Sequence, residues 1–205
     1  MGWHEWIRTV EIEPAIDASD AARLEREIEA LLRTGCRIFH MEGASVDPVE
    51  AVGLLAPLVH HYGGVLDVHA PTGAFTSLAW AGADSVTFDA NAVADPAAAV
   101  EEARAAGVLV GIAFDETVAV DDATSAAAGV DLVVCSCAGD GIVEHVRRLA
   151  AALPEGTVLQ AEGAVTHENL RSLYEAGAQL LVIDEPIFSR EDLPRAYRRL
   201  LKALA

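Results

Sequence analysis

The chain has 205 residues, 52% of them hydrophobic, and a formal net charge of -18 from 32 acidic and 14 basic residues. That size and apolar content suit one globular domain spanning residues 1-205. The charge excludes nucleic acid and anionic membrane surfaces as partners, because such a surface repels polyanions. No run of about 18 apolar residues suggests a transmembrane helix, and the start Met1-Gly2-Trp3-His4-Glu5-Trp6 lacks the basic and apolar regions of a signal peptide. A cytoplasmic location is expected, and three unevenly spaced cysteines, Cys36, Cys135 and Cys137, fit a reduced compartment. Lysine occurs once, at Lys202, so Schiff-base chemistry and a P-loop have no candidate.

Strand-like apolar runs begin near Thr9, Arg37, Val65, Ser85, Leu109, Asp131, Val158 and Gln179, and a helical pattern follows each. Eight alternating units predict a parallel sheet closed into a single-domain (β/α)8 TIM barrel. In the first helix Leu24, Ile28, Leu31 and Leu32 make an apolar stripe, with Ser19-Asp20 as cap and Gly35 as stop. Asp47-Pro48 opens the second and Gly63-Gly64 ends it. Trp80-Ala81-Gly82-Ala83 and Glu175-Ala176-Gly177-Ala178 have one pattern, a helix C-cap leading into a buried strand.

Function is expected at the C-terminal ends of the strands. The second strand ends in Phe39-His40-Met41-Glu42-Gly43. Since side chains alternate along a strand, His40 and Glu42 point the same way. Leu66-Asp67-Val68-His69 ends the third strand and Gln160-Ala161-Glu162-Gly163 the seventh. His40, Glu42, His69 and Glu162 together form a ligand set for a divalent metal such as Zn, Mn, Fe or Co, with Asp67 placed to orient a ligand from behind.

These segments, with the run from Glu13 to Leu24 and Ala83-Asp84-Ser85-Val86-Thr87-Phe88, resemble the ribulose-phosphate 3-epimerase family along nearly the whole chain. The resemblance implies a metal held by two histidines, matched by His40 and His69, and by two aspartates, where this chain has Glu42 and Glu162. It further implies that those carboxylates shuttle a proton at the carbon beside a ketone. Glu42 and Glu162 are therefore the expected acid/base pair.

The likeness stops at the phosphate grip. Where the family has a glycine-rich loop, paired glycines and a glycine-serine pair, this chain reads Cys135-Ser136-Cys137-Ala138-Gly139-Asp140-Gly141, Glu162-Gly163-Ala164 and Asp184-Glu185-Pro186. Acidic Asp184 and Glu185 would repel a phosphate. Together with Gly163 they are the expected substrate-binding positions, for a hydroxyl-rich or cationic group; alternatively Asp184 and Glu185 turn outward and cap the last helix. The family's early serine becomes Ala18 or Ser19, its histidine after strand four becomes Asp89, and its asparagine-proline after strand five becomes Asp115-Glu116.

The expected activity is epimerisation or isomerisation of a small, non-phosphorylated polyol, keto-sugar or amino-sugar-like substrate. Alternatives are a lyase, decarboxylase or hydrolase step on the same scaffold, and an inactive barrel serving as a binding or regulatory subunit. A homo-oligomer is compatible with the apolar helical exterior. His60 and His61 are expected at a helix end, His145 and His167 exposed on helices, and Trp3, Trp6 and Trp80 packed on the barrel ends. Cys135 and Cys137 share a strand face and are expected to be buried packing residues.

Overall fold

In the computed structural model, residues 2-7, 10-16, 21-42, 47-183 and 192-204 are described, except for the side chains of 21-23. Eight parallel strands form one sheet: β1 Glu11–Pro14, β2 Ile38–Glu42, β3 Val65–His69, β4 Ser85–Asp89, β5 Leu109–Phe114, β6 Leu132–Cys137, β7 Val158–Gly163 and β8 Leu180–Ile183. From β2 to β8 consecutive strands pair with one another, and β1 pairs with β8. A bridge from Ala15 to His40 and the bond from Ile16 N to His40 O, 2.8 Å, join β1 to β2 and close the (β/α)8 barrel. The strands start within two residues of the expected positions.

The helices are α1 Trp3–Trp6, α2 Ala21–Leu32, α3 Pro48–His61, α4 Phe75–Ala81, α5 Pro96–Ala106, α6 Val120–Ala126, α7 Ile142–Ala152, α8 Leu170–Ala176 and α9 Leu193–Leu204. The expected stripe of α2 is buried, and Asp47 caps α3 by accepting from Val49 N and Glu50 N. Gly82 and Gly177 end α4 and α8 in the left-handed conformation, at φ 114° and 117°. The Ser19-Asp20 cap lies outside the described residues. Among the described residues no helix is long and apolar enough to cross a membrane.

Two apolar clusters hold the barrel. The larger lies between strands and helices. The smaller fills the N-terminal end of the barrel, where Trp3 and Ile7 close over Ile38, Val65, Leu132, Val158 and Leu180. His4 Nε2 donates to Gly156 O at 3.1 Å and ties α1 to the turn before β7. Above this apolar floor the interior turns polar, with Glu13, His40, Asp67, Ser85, Thr87 and Gln160 all fully buried. Gly111 is required there, because a Cβ would sit 2.1 Å from Thr87 Oγ1.

Three peripheral expectations are corrected. His145 is buried, as part of the α7 stripe Ile142, His145, Val146 and Leu149. His167 is exposed as expected, but in a turn ahead of α8. Trp80 is 88% exposed, off the buried Phe75 and Leu78 side of α4, so it packs against no barrel end. His60 ends α3 as expected, but its Nε2 donates to Asp84 Oδ2 at 2.8 Å, and the same oxygen accepts from Leu66 N.

Candidate metal centre

Register builds the site. Pairing of β2 with β3 sets His40 beside Asp67 and Glu42 beside His69, and all four point into the barrel by alternation. From β7, Glu162 reaches the same point. His40, Glu42, His69 and Glu162 each offer one donor atom, and these atoms all lie within 4.8 Å of one another. Glu42 Oε1 is 3.2 Å from His40 Nε2 and 3.5 Å from His69 Nδ1. Glu162 Oε2 is 3.9 Å and 3.4 Å from the same nitrogens.

Each imidazole is anchored by the nitrogen that faces away from this point. His40 Nδ1 donates to Asp67 Oδ2 at 3.1 Å, and His69 Nε2 donates to Asp89 Oδ1 at 2.8 Å. Opposite nitrogens thus converge, Nε2 of His40 and Nδ1 of His69. Asp67 stands where the sequence placed it. Asp89 was visible there only as a substituted position; its partnership with His69 depends on how β4 sits beside β3.

Two carboxylates and two imidazoles, with no lysine or arginine among the described lining residues, call for positive charge. In the metal-free chain that charge is protons. Burial alone would lower both imidazoles, but Asp67 and then Glu42 hold His40 well above its usual range. Asp89, Glu162 and Glu42 hold His69 up to about 12. Burial acts to raise Glu42, yet the two histidines outweigh it and keep its carboxylate ionised. The donor set suits a divalent metal equally well. His69 Nδ1 and Glu162 Oε2 are buried without a hydrogen-bond partner, and mixed nitrogen and carboxylate ligands backed by outer carboxylates are the usual composition of such centres.

A cavity of about 560 Å³ opens above the cluster, lined among others by Glu42, His69, Asp89, Asp115, Ser136 and Glu162. Asp115 belongs to the acidic loop after β5, where Thr117 donates to it from backbone and side chain and lowers its carboxyl. Gly163 does not line this cavity. Its φ of 93° and the approach of Cys137 O, 2.5 Å from where a Cβ would be, require glycine for packing. The next amide, Ala164 N, is spent on Cys137 O at 2.7 Å. Asp184 and Glu185 lie outside the described residues. Cys135 and Cys137 are buried in the cluster facing the helices, with burial pushing Cys135 up to about 12, and they stand apart from the four donors.

A parallel eight-stranded barrel carrying a candidate metal-binding cluster at its C-terminal rim defines the class. Within it the chain belongs to the ribulose-phosphate 3 epimerase family, which matches residues 11–188. Solved structures agree on the fold. A thiamine phosphate pyrophosphorylase from Pyrococcus furiosus superposes with a TM-score of 0.74 at 18% identity, covering 96% of each chain. A 3-hexulose-6-phosphate synthase from Salmonella typhimurium gives 0.76 at 14% identity, over 95% of this chain and 98% of its own. An orotidine 5'-phosphate decarboxylase from Pyrococcus horikoshii gives 0.74 at 14%, over 94% and 98%. At such identities the likeness concerns fold alone. No curated protein matches this chain by sequence.

Proposed function

We propose that the chain is a metal-dependent epimerase or isomerase that moves a proton next to a carbonyl on a small, non-phosphorylated polyol, keto-sugar or amino-sugar-like molecule. The observation that carries this reading is the convergence of His40, Glu42, His69 and Glu162 within 4.8 Å beneath an open cavity. A divalent metal on these residues, Zn, Mn, Fe or Co, would supply Lewis-acid polarisation of the substrate carbonyl. The protein's own groups do the rest. Glu42, kept ionised by its histidine neighbours, is the base that takes the proton from the carbon beside the carbonyl. Glu162 begins the turnover protonated and gives its proton to that carbon from the other side, which inverts it and leaves Glu42 holding the proton it took. His40 and His69 are held by Asp67 and Asp89 and present the nitrogens that face the carboxylates.

The absence of a phosphate from the substrate is supported by charge. Among the described residues, Glu42, Asp89, Asp115 and Glu162 line the cavity without a lysine or arginine, and the Ala164 amide beside Gly163 already has a partner. A bound divalent cation offsets two charges, fewer than the three of Glu42, Asp89 and Asp115, so hydroxyl or amine groups suit this surface better than a phosphate dianion. Asp184 and Glu185, the expected contacts at the far end, would add to the same preference.

Two measurements test the reading. The purified chain should hold about one divalent ion per molecule, lost in His40→Ala, in keeping with a single closed ligand set. Incubation with ketoses in deuterated water should place deuterium on the carbon beside the carbonyl. A chain that binds metal yet exchanges no such proton is not an epimerase or isomerase.

A further inference from the structure

One layer below the four-donor cluster, a second set of polar side chains spans the barrel. Glu13 comes from β1, His40 from β2, Asp67 from β3 and Gln160 from β7, and all four are fully buried. Gln160 Nε2 donates to Glu13 Oε2 at 2.7 Å and to Asp67 Oδ2 at 3.1 Å. Asp67 Oδ2 accepts as well from His40 Nδ1, at 3.1 Å. The amide orientation follows from Asp67, since the reverse would press Gln160 Oε1 against Asp67 Oδ2, an oxygen that already accepts from His40.

Glu13, His40 and Asp67 also lie close enough to resemble a second ligand set. Two facts oppose that use. A neutral imidazole has one acceptor nitrogen, and His40 directs its Nδ1–H at Asp67. The amide group of Gln160 is aimed at the same carboxylate oxygens, where a donor would repel a cation.

We infer that Glu13 and Gln160 are positioning residues, a cross-barrel strut that fixes Asp67 and through it the orientation and tautomer of His40, so that Nε2 is presented to the metal. This rests on the metal centre of the proposed function. The physical reason is preorganisation. Asp67 has no other hydrogen-bond donor beside Gln160 and His40 among the described contacts, and its Oδ1 is buried without a partner. Without the amide, the carboxylate loses one of the two bonds that hold it, and the imidazole it steers is held less firmly in place. The two strands that supply the strut, β1 and β7, contribute Glu13 and Gln160 from positions 147 residues apart.

The test is Zn²⁺ titration against a chromophoric chelator on the full chain, combined with ¹⁵N imidazole spectra of the zinc-loaded protein. Gln160→Leu, which keeps the bulk and removes both donors, should bind zinc about 10- to 100-fold more weakly. Glu13→Gln, which keeps an acceptor for Gln160, should retain wild-type affinity. Should Gln160→Leu fail to fold, Glu13→Leu is expected to show the same loss. In the wild-type chain the spectra should show a proton on His40 Nδ1 and zinc on Nε2; zinc on Nδ1 overturns the inference whatever the variants do. Variants that unfold at lower temperature yet bind zinc like the wild type also overturn it, because a merely structural strut would behave so. A wild-type chain that takes up no zinc overturns the metal centre itself, and the strut's role with it.

Discussion

His40 and His69 carry protons in the metal-free chain for a reason that would also control uptake of the proposed metal. Both sit above the ordinary imidazole value of 6.5, His69 at about 12, because carboxylates surround them. For a group raised on folding, the stabilisation is complete below 6.5 and is lost as pH climbs through the folded value. Metal must displace those protons. Zinc affinity should therefore rise with pH between about 6 and 9, and calorimetry in buffers of different ionisation enthalpy should detect proton release on binding. A pH-independent affinity would contradict the surroundings described for both imidazoles. Glu42 has the complementary role. Glu42→Gln keeps the side chain's size and removes the proposed base, so on the proposed function deuterium exchange should fall by about 100- to 10,000-fold while His40, His69 and Glu162 would still hold the metal. Equal loss of metal and exchange would make Glu42 a ligand first and a base second.

At the scale of elements, the strands do the positioning and two-residue alternation is the mechanism. Gln160 and Glu162 point inward from β7, Asp67 and His69 from β3, and His40 and Glu42 from β2, so each strand contributes to a lower layer and to the four-donor cluster above it, with His40 belonging to both. The packing between layers is tight at β5, where Gly111 faces Thr87 Oγ1. Gly111→Ala should lower stability by about 1–3 kcal/mol, read from the denaturant midpoint, since the new methyl has to move Thr87 or Leu132. The helices were legible for the same periodic reason. Asp47 before Pro48 gave a cap, and the two Ala-Gly-Ala segments gave C-caps that the backbone adopts. His145 shows where polarity misleads: it occupies the i+3 position of a stripe running Ile142, Val146, Leu149, and the helical period buries it. Trp80 is the converse, a large apolar residue two positions past Leu78 and off the buried side.

Over the whole molecule the barrel separates stability from chemistry. The N-terminal end is closed by Trp3 and Ile7 on an apolar floor, whereas the C-terminal end holds the donors and the acidic cavity. Trp3→Ala should cost about 3–5 kcal/mol on unfolding and leave zinc affinity unchanged, because the polar layer lies between the two ends. A parallel loss of zinc affinity would mean that the ends are coupled. The sequence by itself determined the eight units, the barrel they close and the four inward donors, since periodicity two along a strand and the order of βα units are local properties. It also carried the family likeness and the acidic character of the rim. Only the tertiary structure decided that Asp89 holds His69 and that Glu13, Gln160 and Asp67 form one strut. Those partners come from different strands, and hydrogen bonds across a barrel interior depend on register, stagger and closure, none of which a single strand's pattern contains.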